Sequence, residues 1–593
     1  MAPVGFENKV AFVWKVADKL RGTFKQHEYG SVMLPLLVLR RMDAVLAPTK
    51  SVVVAAAAKM STIGPGQDAI LKAIAKQRFY NTSPLTFSSM LSDDKNLVEQ
   101  LAGYIRRLST DAYRVMEAYN VDDKIARLDR AGILYAVLSD FADLDLRPSV
   151  VSNEAMGYVF EELLRKFSEM SNETAGEHYT PREVITLMVE LLLGEKTSAE
   201  LTQNPKPVRT VYDPAAGTGG MLMGALHQIS ERNPSAVVKV YGQELNDETW
   251  AIAQSDLMMQ DIDPKQMANG NSLTADAFRT DHFDFILANP PYGVDWKSYA
   301  APIKDEHLRL GHSGRFGAGL PRVSDGSLLF LQHMLSKMKP TGSRVGIVLS
   351  GSPLFSGQAG SGESEIRRWI LENDWLEGIV ALPDQMFYNT GISTYVWILT
   401  NDKAESDRRR VKLIDGRELG TKMRKSLGDK RKELRPDAIA QLAQLYGGAL
   451  DEFADDARRV KVLKREAFGF QRITVERPLL DEQGQPVLKR GKLQADANLR
   501  DQENVPLPAG WFDLGESERI KALYEAAEQH LVDEIQPYVP DSWIDHAKTR
   551  VGVEIPFTRQ FYVYTPPRPV AEIAAEIREL ESQIQEWMKG LEL

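Results

Sequence analysis

The 593-residue chain has no cysteine. It therefore forms no disulfide, builds no thiolate zinc site and uses no cysteine nucleophile. Histidine is also scarce. None of the nine is set at HExxH or similar spacing, and His307 and His312 stand alone in a Gly-rich stretch, so no metal site is expected. No apolar run approaches the length of a membrane span: Val52 to Ala58 is short and flanked by Lys50 and Lys59. The first residues have neither the charged start nor the apolar stretch of a signal peptide, so a cytoplasmic location is expected. There is no phosphate loop ending in Gly-Lys-Ser/Thr. The formal net charge of -10 argues against a general polyanion coat.

The remaining sequence is 43% hydrophobic and too long for one core, which suggests two or three domains. Leu97, Leu101, Ile105 and Leu108 recur at helical spacing, as do Phe6, Val10, Trp14 and Ala17, so the chain up to about Pro148 reads as helical, with a loop around Thr49 to Gly66. Ser152 to Phe167 reads as an amphipathic helix. After it, Thr180 to Glu183 fits a capping box with Pro181 at the first helical position, which on local evidence is simply a well-capped helix and otherwise a helix start that exposes N–H groups to a polar ligand. From Arg408 to Arg435 cations outnumber carboxylates, and Arg458 to Arg465 adds a second cluster. Such a run is a solvated face or a phosphate contact. The segment from about Asn401 reads as helical and then irregular, with an extended connector marked by Pro478, Pro486, Pro506 and Pro508.

The chemistry concentrates at two places. Phe283 to Ala288 is a short apolar strand that stops at Asn289-Pro290-Pro291-Tyr292, because two prolines cannot continue a ladder. In open α/β sheets the carboxyl ends of strands are where ligands bind. An exocyclic amine on an aromatic base is a poor nucleophile while its lone pair is delocalised. The Asn289 side-chain oxygen and the Pro290 carbonyl could accept its hydrogens and free that pair, and Tyr292 offers a ring for stacking. Read alone, the motif is equally an ordinary strand-to-turn junction.

The second place is Val208 to Tyr212, a β-branched strand followed by Asp213-Pro214-Ala215-Ala216-Gly217-Thr218-Gly219-Gly220 and a helix. Glycines at a strand-to-helix turn admit a ligand close to the backbone. The next strand ends at Glu244, placed to accept both hydroxyls of a ribose. A nucleoside with a transferable group and no polyphosphate is S-adenosyl-L-methionine. Its methyl would face Asn289, with Asp213 near the methionine part or its ammonium, and with Asn271 to Asp276 flanking the adenine. The long Gly-rich stretch Val294 to Asp325 carries Lys297, Lys304, Arg309, Arg315 and Arg322, and reads equally as a segment placed to close over a base or to reach phosphates and as a flexible surface loop with no role.

Asp213 to Gly220 followed by Asn289 to Tyr292 resembles the amino-group DNA methyltransferases. The helical N-terminal part and Gly176-Glu177-His178-Tyr179-Thr180-Pro181-Arg182 resemble, more narrowly, the modification subunit of type I restriction-modification systems. The resemblance covers the chain from about residue 6 to the end. It implies an α/β fold, a seven-stranded, Rossmann-like S-adenosylmethionine-dependent methyltransferase sheet whose last strand is antiparallel, with an all-helical N-terminal domain and a helical C-terminal tail. It divides the chain into a helical domain at 1–150, a methyltransferase domain at 151–475, and a connector and helical tail at 476–593. It adds Glu177, His178, Tyr179, Thr180, Pro181 and Arg182 to the donor site.

The implied activity is methylation of adenine N6 in DNA. The partners are a specificity subunit that reads the target, a restriction/translocase subunit, double-stranded DNA and a second copy of the chain. Lack of cysteine excludes methylation at a cytosine ring carbon. The seam Ile573, Ile577, Leu580, Ile584, Trp587, Leu591 fits packing on the chain's own domain or docking on the specificity subunit. A protein glutamine-N5 methyltransferase and a non-catalytic donor-binding scaffold are the rivals.

Overall fold

The computed structural model describes residues 12, 15–60, 62–170, 180–194, 199–201, 203–204, 206–388, 390–427, 429–448, 458–562 and 568–590. Phe6, Val10, Trp14 and Leu591 lie outside these residues. The chain divides into two compact units, Met1–Ile555 and Pro556–Leu593.

In the larger unit, helices lead. Tyr29–Leu46 is apolar almost all round and runs through the middle of the first helical group, as a helix buried on every side must. Leu97, Leu101, Ile105 and Leu108 are buried, as their spacing predicts. The stretch expected as a loop instead contains the helix Lys50–Ala57, continuing an alanine- and valine-rich run that buries Val53. The helix α1 (Asn153–Met170) buries Met156, Val159, Phe160, Leu163 and Phe167. α2 (Arg182–Leu193) follows.

The sheet begins with β1 (Val208–Asp213), β2 (Val237–Glu244), β3 (Met267–Asn269) and β4 (Phe285–Ala288). It continues with β5 (Arg344–Ser350), β6 (Leu376–Ala381) and β7 (Thr394–Thr400). All seven residues of β7 and all four of β4 are buried, the pattern of strands covered on both faces. β7 lies between β5 and β6 and is antiparallel to both, while β1 is parallel to β2 and β4. These are the seven strands and the antiparallel last strand expected from the sequence.

Two further strands widen the sheet. β8 (Arg410–Asp415) runs parallel to β6, and β11 (Val460–Lys464) is antiparallel to β8, giving the order β11-β8-β6-β7-β5-β4-β1-β2-β3. Between them β9 (Thr421–Leu427) and β10 (Lys430–Glu433) form a separate hairpin, followed by the helix Pro436–Gly447. The helical expectation for the start of this segment fails because its apolar residues alternate. Val411 and Leu413 point into the core between Arg410 and Lys412, a period of two.

The prolines expected to mark a connector border a small sheet of Gly469–Glu476, Asp501–Pro506, Trp543–Ile544 and Arg550–Val553. Its own core includes Ile473, Val505, Ala527 and Leu531. In the smaller unit the helix Val570–Gly590 leaves Ile577, Leu580, Ile584 and Trp587 at least half exposed.

The stretch Val294 to Asp325 is not an open loop. It contains the helix α3 (Ala300–Leu310), and Trp296, Ile303 and Phe316 bury themselves with Leu273 and Leu329 in a small core. It closes on the helix Gly362–Glu372, where a Cβ on Gly362 would stand 1.8 Å from the Leu320 carbonyl oxygen. Gly362→Ala is expected to lower stability by at least about 2 kcal/mol, since backbone must move to admit the methyl. Gly103, in the helix Leu97–Arg106 with nothing within 4 Å of a built Cβ, is expected to gain up to about 1 kcal/mol on substitution by alanine. Thermal and urea unfolding of the two variants checks the contrast.

Candidate active site

β1 ends at Asp213, and the chain then turns sharply through Gly217 (φ 55°) and Gly219 (φ 82°) into the helix α4 (Gly220–Arg232). Both angles are in the left-handed region that favours glycine. The turn is stitched to the end of β2: Ala216 N–H donates to the Gln243 carbonyl at 3.0 Å, and Gly217 N–H to Glu244 Oε2 at 2.9 Å. Glu244 Oε1 accepts from Asn246 N–H at 2.8 Å. Each carboxylate oxygen has a further lone pair for a ligand.

Asp213 is 1% exposed and accepts from Ala215 N–H at 2.9 Å. Burial pushes its carboxyl up to about 8, with the nearby charge of Glu244 adding to the effect. A cationic ligand group would favour the ionised form.

These residues border a cavity of about 760 Å³, within the range of nucleoside-sized ligands. Thr180, Asp213, Ala216, Gly217, Thr218, Gly220, Glu244 and Asn271 line it, together with Asn289 and Pro291. Here β1 and β4 are neighbours, and the strand order departs on one side to β2 and β3 and on the other to β5. This is the switch point at which open sheets bind ligands.

A second cavity of about 460 Å³ lies across the motif. It is lined by Asn289, Pro290, Pro291 and Tyr292, and by Arg322, Ser324, Asp325, Ser350, Ser352, Thr390 and Ile392. Asn289, Pro291 and Val294 line both cavities.

The Asn289 amide is held at both ends. Its Nδ2 donates to Thr180 Oγ1 at 3.0 Å, and its Oδ1 accepts from the Tyr292 hydroxyl. Burial holds the Tyr292 phenol well above the ordinary tyrosine value, so it keeps this proton. The ring meets Phe387 edge-on, with centroids 5.9 Å apart. The acceptor expected to meet a substrate amine thus already holds one hydrogen bond within the free chain and keeps a second lone pair.

Several expectations need correction. The capping box at Thr180 does not form. Thr180 turns to Asn289, Glu183 pairs with Lys430, and α2 starts at Arg182 with Pro181 as its cap. Pro181, Arg182 and Gly219 are not on the cavity wall, and Arg182 pairs with Glu161. Asp276 does not flank the cavity either: its carboxylate pairs with Lys337 at 2.5 Å, both side chains being nearly fully buried. Glu177, His178 and Tyr179 lie outside the described residues.

Arg315 does not reach outward to phosphates. It donates to the Ser272 and Leu273 carbonyls, each at 2.8 Å, and pairs with Glu306 at 2.7 Å, which fastens the folded stretch to the loop after β3. Sequence reasoning missed Leu245, Asn246 and Asp247 directly after Glu244, and Tyr299 and Phe330 on the same wall. It also missed Ser350 and Ser352, although the end of β5 lies on the same sheet edge as Asn289.

Comparison with known proteins adds three findings. The sequence profile described as N-6 DNA Methylase matches residues 151–468, and that described as HsdM N-terminal domain matches residues 10–141. The chain is 25% identical over 429 residues to the Type I restriction enzyme MjaIX methylase subunit of Methanocaldococcus jannaschii, covering 70% of this chain and 72% of that protein. To the HindI methylase subunit of Haemophilus influenzae it is 30% identical over 299 residues, covering 49% and 60%. The fold is shared with a solved type I restriction-modification methyltransferase subunit from Streptococcus thermophilus, with a TM-score of 0.61, 22% identity, and coverage of 78% of this chain and 97% of that one.

The raised value of Asp213 has a consequence for stability. Between its unfolded value near 3.8 and its folded value of about 8, the folded chain holds a proton that the unfolded chain has lost. This contribution to stability therefore falls as pH rises through that window. Asp213→Asn carries no such proton, so the melting temperature of the wild type, relative to the variant, is expected to decline from pH 4 to 8. Paired melting curves across that range check the sign.

Proposed function

This chain belongs to the N-6 DNA methylase family, with an HsdM N-terminal domain ahead of its catalytic sheet, and from that premise we propose how its two cavities divide the work. It is an adenine-N6 DNA methyltransferase, the methylase subunit of a type I restriction-modification system. The larger cavity takes S-adenosyl-L-methionine and the smaller one takes the target adenine. The single observation that carries this reading is the Asn289 amide at the edge common to both.

The residues present suit the donor. Glu244 is available to the ribose hydroxyls, and the Gly217–Gly220 turn lets the nucleoside approach the backbone. Asp213, whose carboxyl burial pushes up in the free chain, gains a partner in the amino-acid ammonium. Asn271 and Leu245 lie on the wall beside the adenine. When bound, S-adenosyl-L-methionine supplies a sulfonium methyl that an amine attacks directly, with no covalent enzyme intermediate.

The chain's own part is orientation and polarisation. Asn289 Oδ1 and the Pro290 carbonyl accept the two amine hydrogens, which withdraws the nitrogen lone pair from the ring and aims it at the donor cavity. Thr180, through Asn289 Nδ2, keeps the amide from turning its nitrogen toward the substrate. An adenine amine is beyond reach inside a duplex, so the base is extruded into the smaller cavity. There the Tyr292 ring becomes the stacking surface.

The chain is read as 1–150 helical domain, 151–475 methyltransferase and 476–593 assembly region. The specificity subunit supplies target recognition, and the half-exposed seam of Val570–Gly590 docks on that subunit's helices. Two copies of the chain act in the complex on double-stranded DNA in the cytoplasm, and a restriction/translocase subunit joins the full assembly.

Labelled methyl transfer to DNA is the test. The chain with its specificity subunit is expected to label adenine N6. Asn289→Ala in the same complex is expected to lose roughly a hundredfold to a thousandfold in rate, the scale of one preorganised polar contact to the reacting group, while donor affinity stays near the wild-type value. Label that persists in the variant, or that appears on protein, would overturn the reading.

A further inference from the structure

The β9–β10 hairpin of this acidic chain is strongly basic, with six cations and two carboxylates from Thr421 to Glu433. It lies outside the nine-stranded sheet and is held against the active site from two sides. On one side, Lys430 is buried against Glu183, three residues after the Thr180 that holds Asn289. On the other, the hairpin backbone is pinned to the β6–β7 connection. Arg431 N–H donates to the Gln385 carbonyl at 2.9 Å and Asp429 N–H to the Tyr388 carbonyl at 3.0 Å, while Lys432 pairs with Asp384. That connection packs Phe387 against Tyr292 and goes on to Thr390 and Ile392 in the wall of the smaller cavity.

Lys430 and Lys432 are therefore anchors. Lys422 and Arg424 are two apart on β9 and share its exposed face, and Arg431 is exposed on β10. Among the described residues no carboxylate pairs with any of the three. The register places Lys422 directly opposite Lys432, a like-charge pairing that weakens a hairpin. A polyanion beside the hairpin removes that repulsion.

We propose that the β9–β10 hairpin is a duplex-DNA contact in which Lys422, Arg424 and Arg431 take backbone phosphates flanking the extruded base. The proposal rests on the reading of the smaller cavity as the base site. Phosphate contacts of this kind fix the position of a protein on the duplex without reading sequence. They suit a subunit whose target is read by a partner.

The test is the salt dependence of binding. The complex of this chain with its specificity subunit is titrated with a labelled duplex carrying the target site, between about 50 and 200 mM salt. Each of K422Q, R424Q and R431Q is expected to make the slope of log affinity against log salt shallower by about 0.9, and the triple variant by about 2.7. KM for DNA rises, while donor affinity and kcat at saturating DNA stay at wild-type values. An unchanged slope in the triple variant, with methylation intact, overturns the hairpin's role. If the variants flatten the slope as expected but the wild-type complex transfers no methyl to adenine, the enzymatic reading fails instead and the hairpin contact stands.

Discussion

The arrangement depends on one side-chain amide held between two partners. Asn289 leaves the end of β4 with its nitrogen on Thr180 and its oxygen on Tyr292, at the only kind of place in an open sheet where adjacent strands part in opposite directions. The two prolines that follow prevent the strand from continuing as a ladder. The two hydrogen bonds keep the amide in one orientation without ligand. The larger cavity on one side and the smaller on the other are consequences of where that amide stands.

Around it, ionisable groups are either committed or held in reserve. Arg315, half-buried, and Lys337, buried, are both paired, and they fix the loop after β3 and the folded stretch over it. Breaking such pairs leaves an uncompensated buried charge, so they serve geometry and not ligand contact. Asp213 and Glu244 are different: they face the larger cavity, and burial pushes Asp213 up to about 8. The division between charges that build the wall and charges that face inward is what separates Asp276, a wall residue, from Asp213.

Much of this was legible in the chain itself. The strand ends at Asp213, Glu244 and Asn289 follow from short apolar runs that stop at glycine, acid or proline, and all three line the larger cavity. The helices of the N-terminal part follow from simple periodicity. What was hidden depends on contacts far apart in sequence. Nothing local says that Thr180 would leave its capping box for an amide 109 positions away, or that Glu183 would meet Lys430. Asp276 looked like a ligand residue until Lys337, on the far side of the folded stretch, was seen to claim it. The basic segment after Asn401 was misread because charge was weighed before the two-residue alternation that makes β8 a strand.

Methylation at Asn289 requires the target adenine to leave the helix. Permanganate reactivity of the thymine opposite the target adenine measures that directly in the wild-type complex with the donor present. The account predicts that this thymine alone becomes strongly reactive when the complex binds. A thymine that stays protected while its adenine partner is methylated would contradict it.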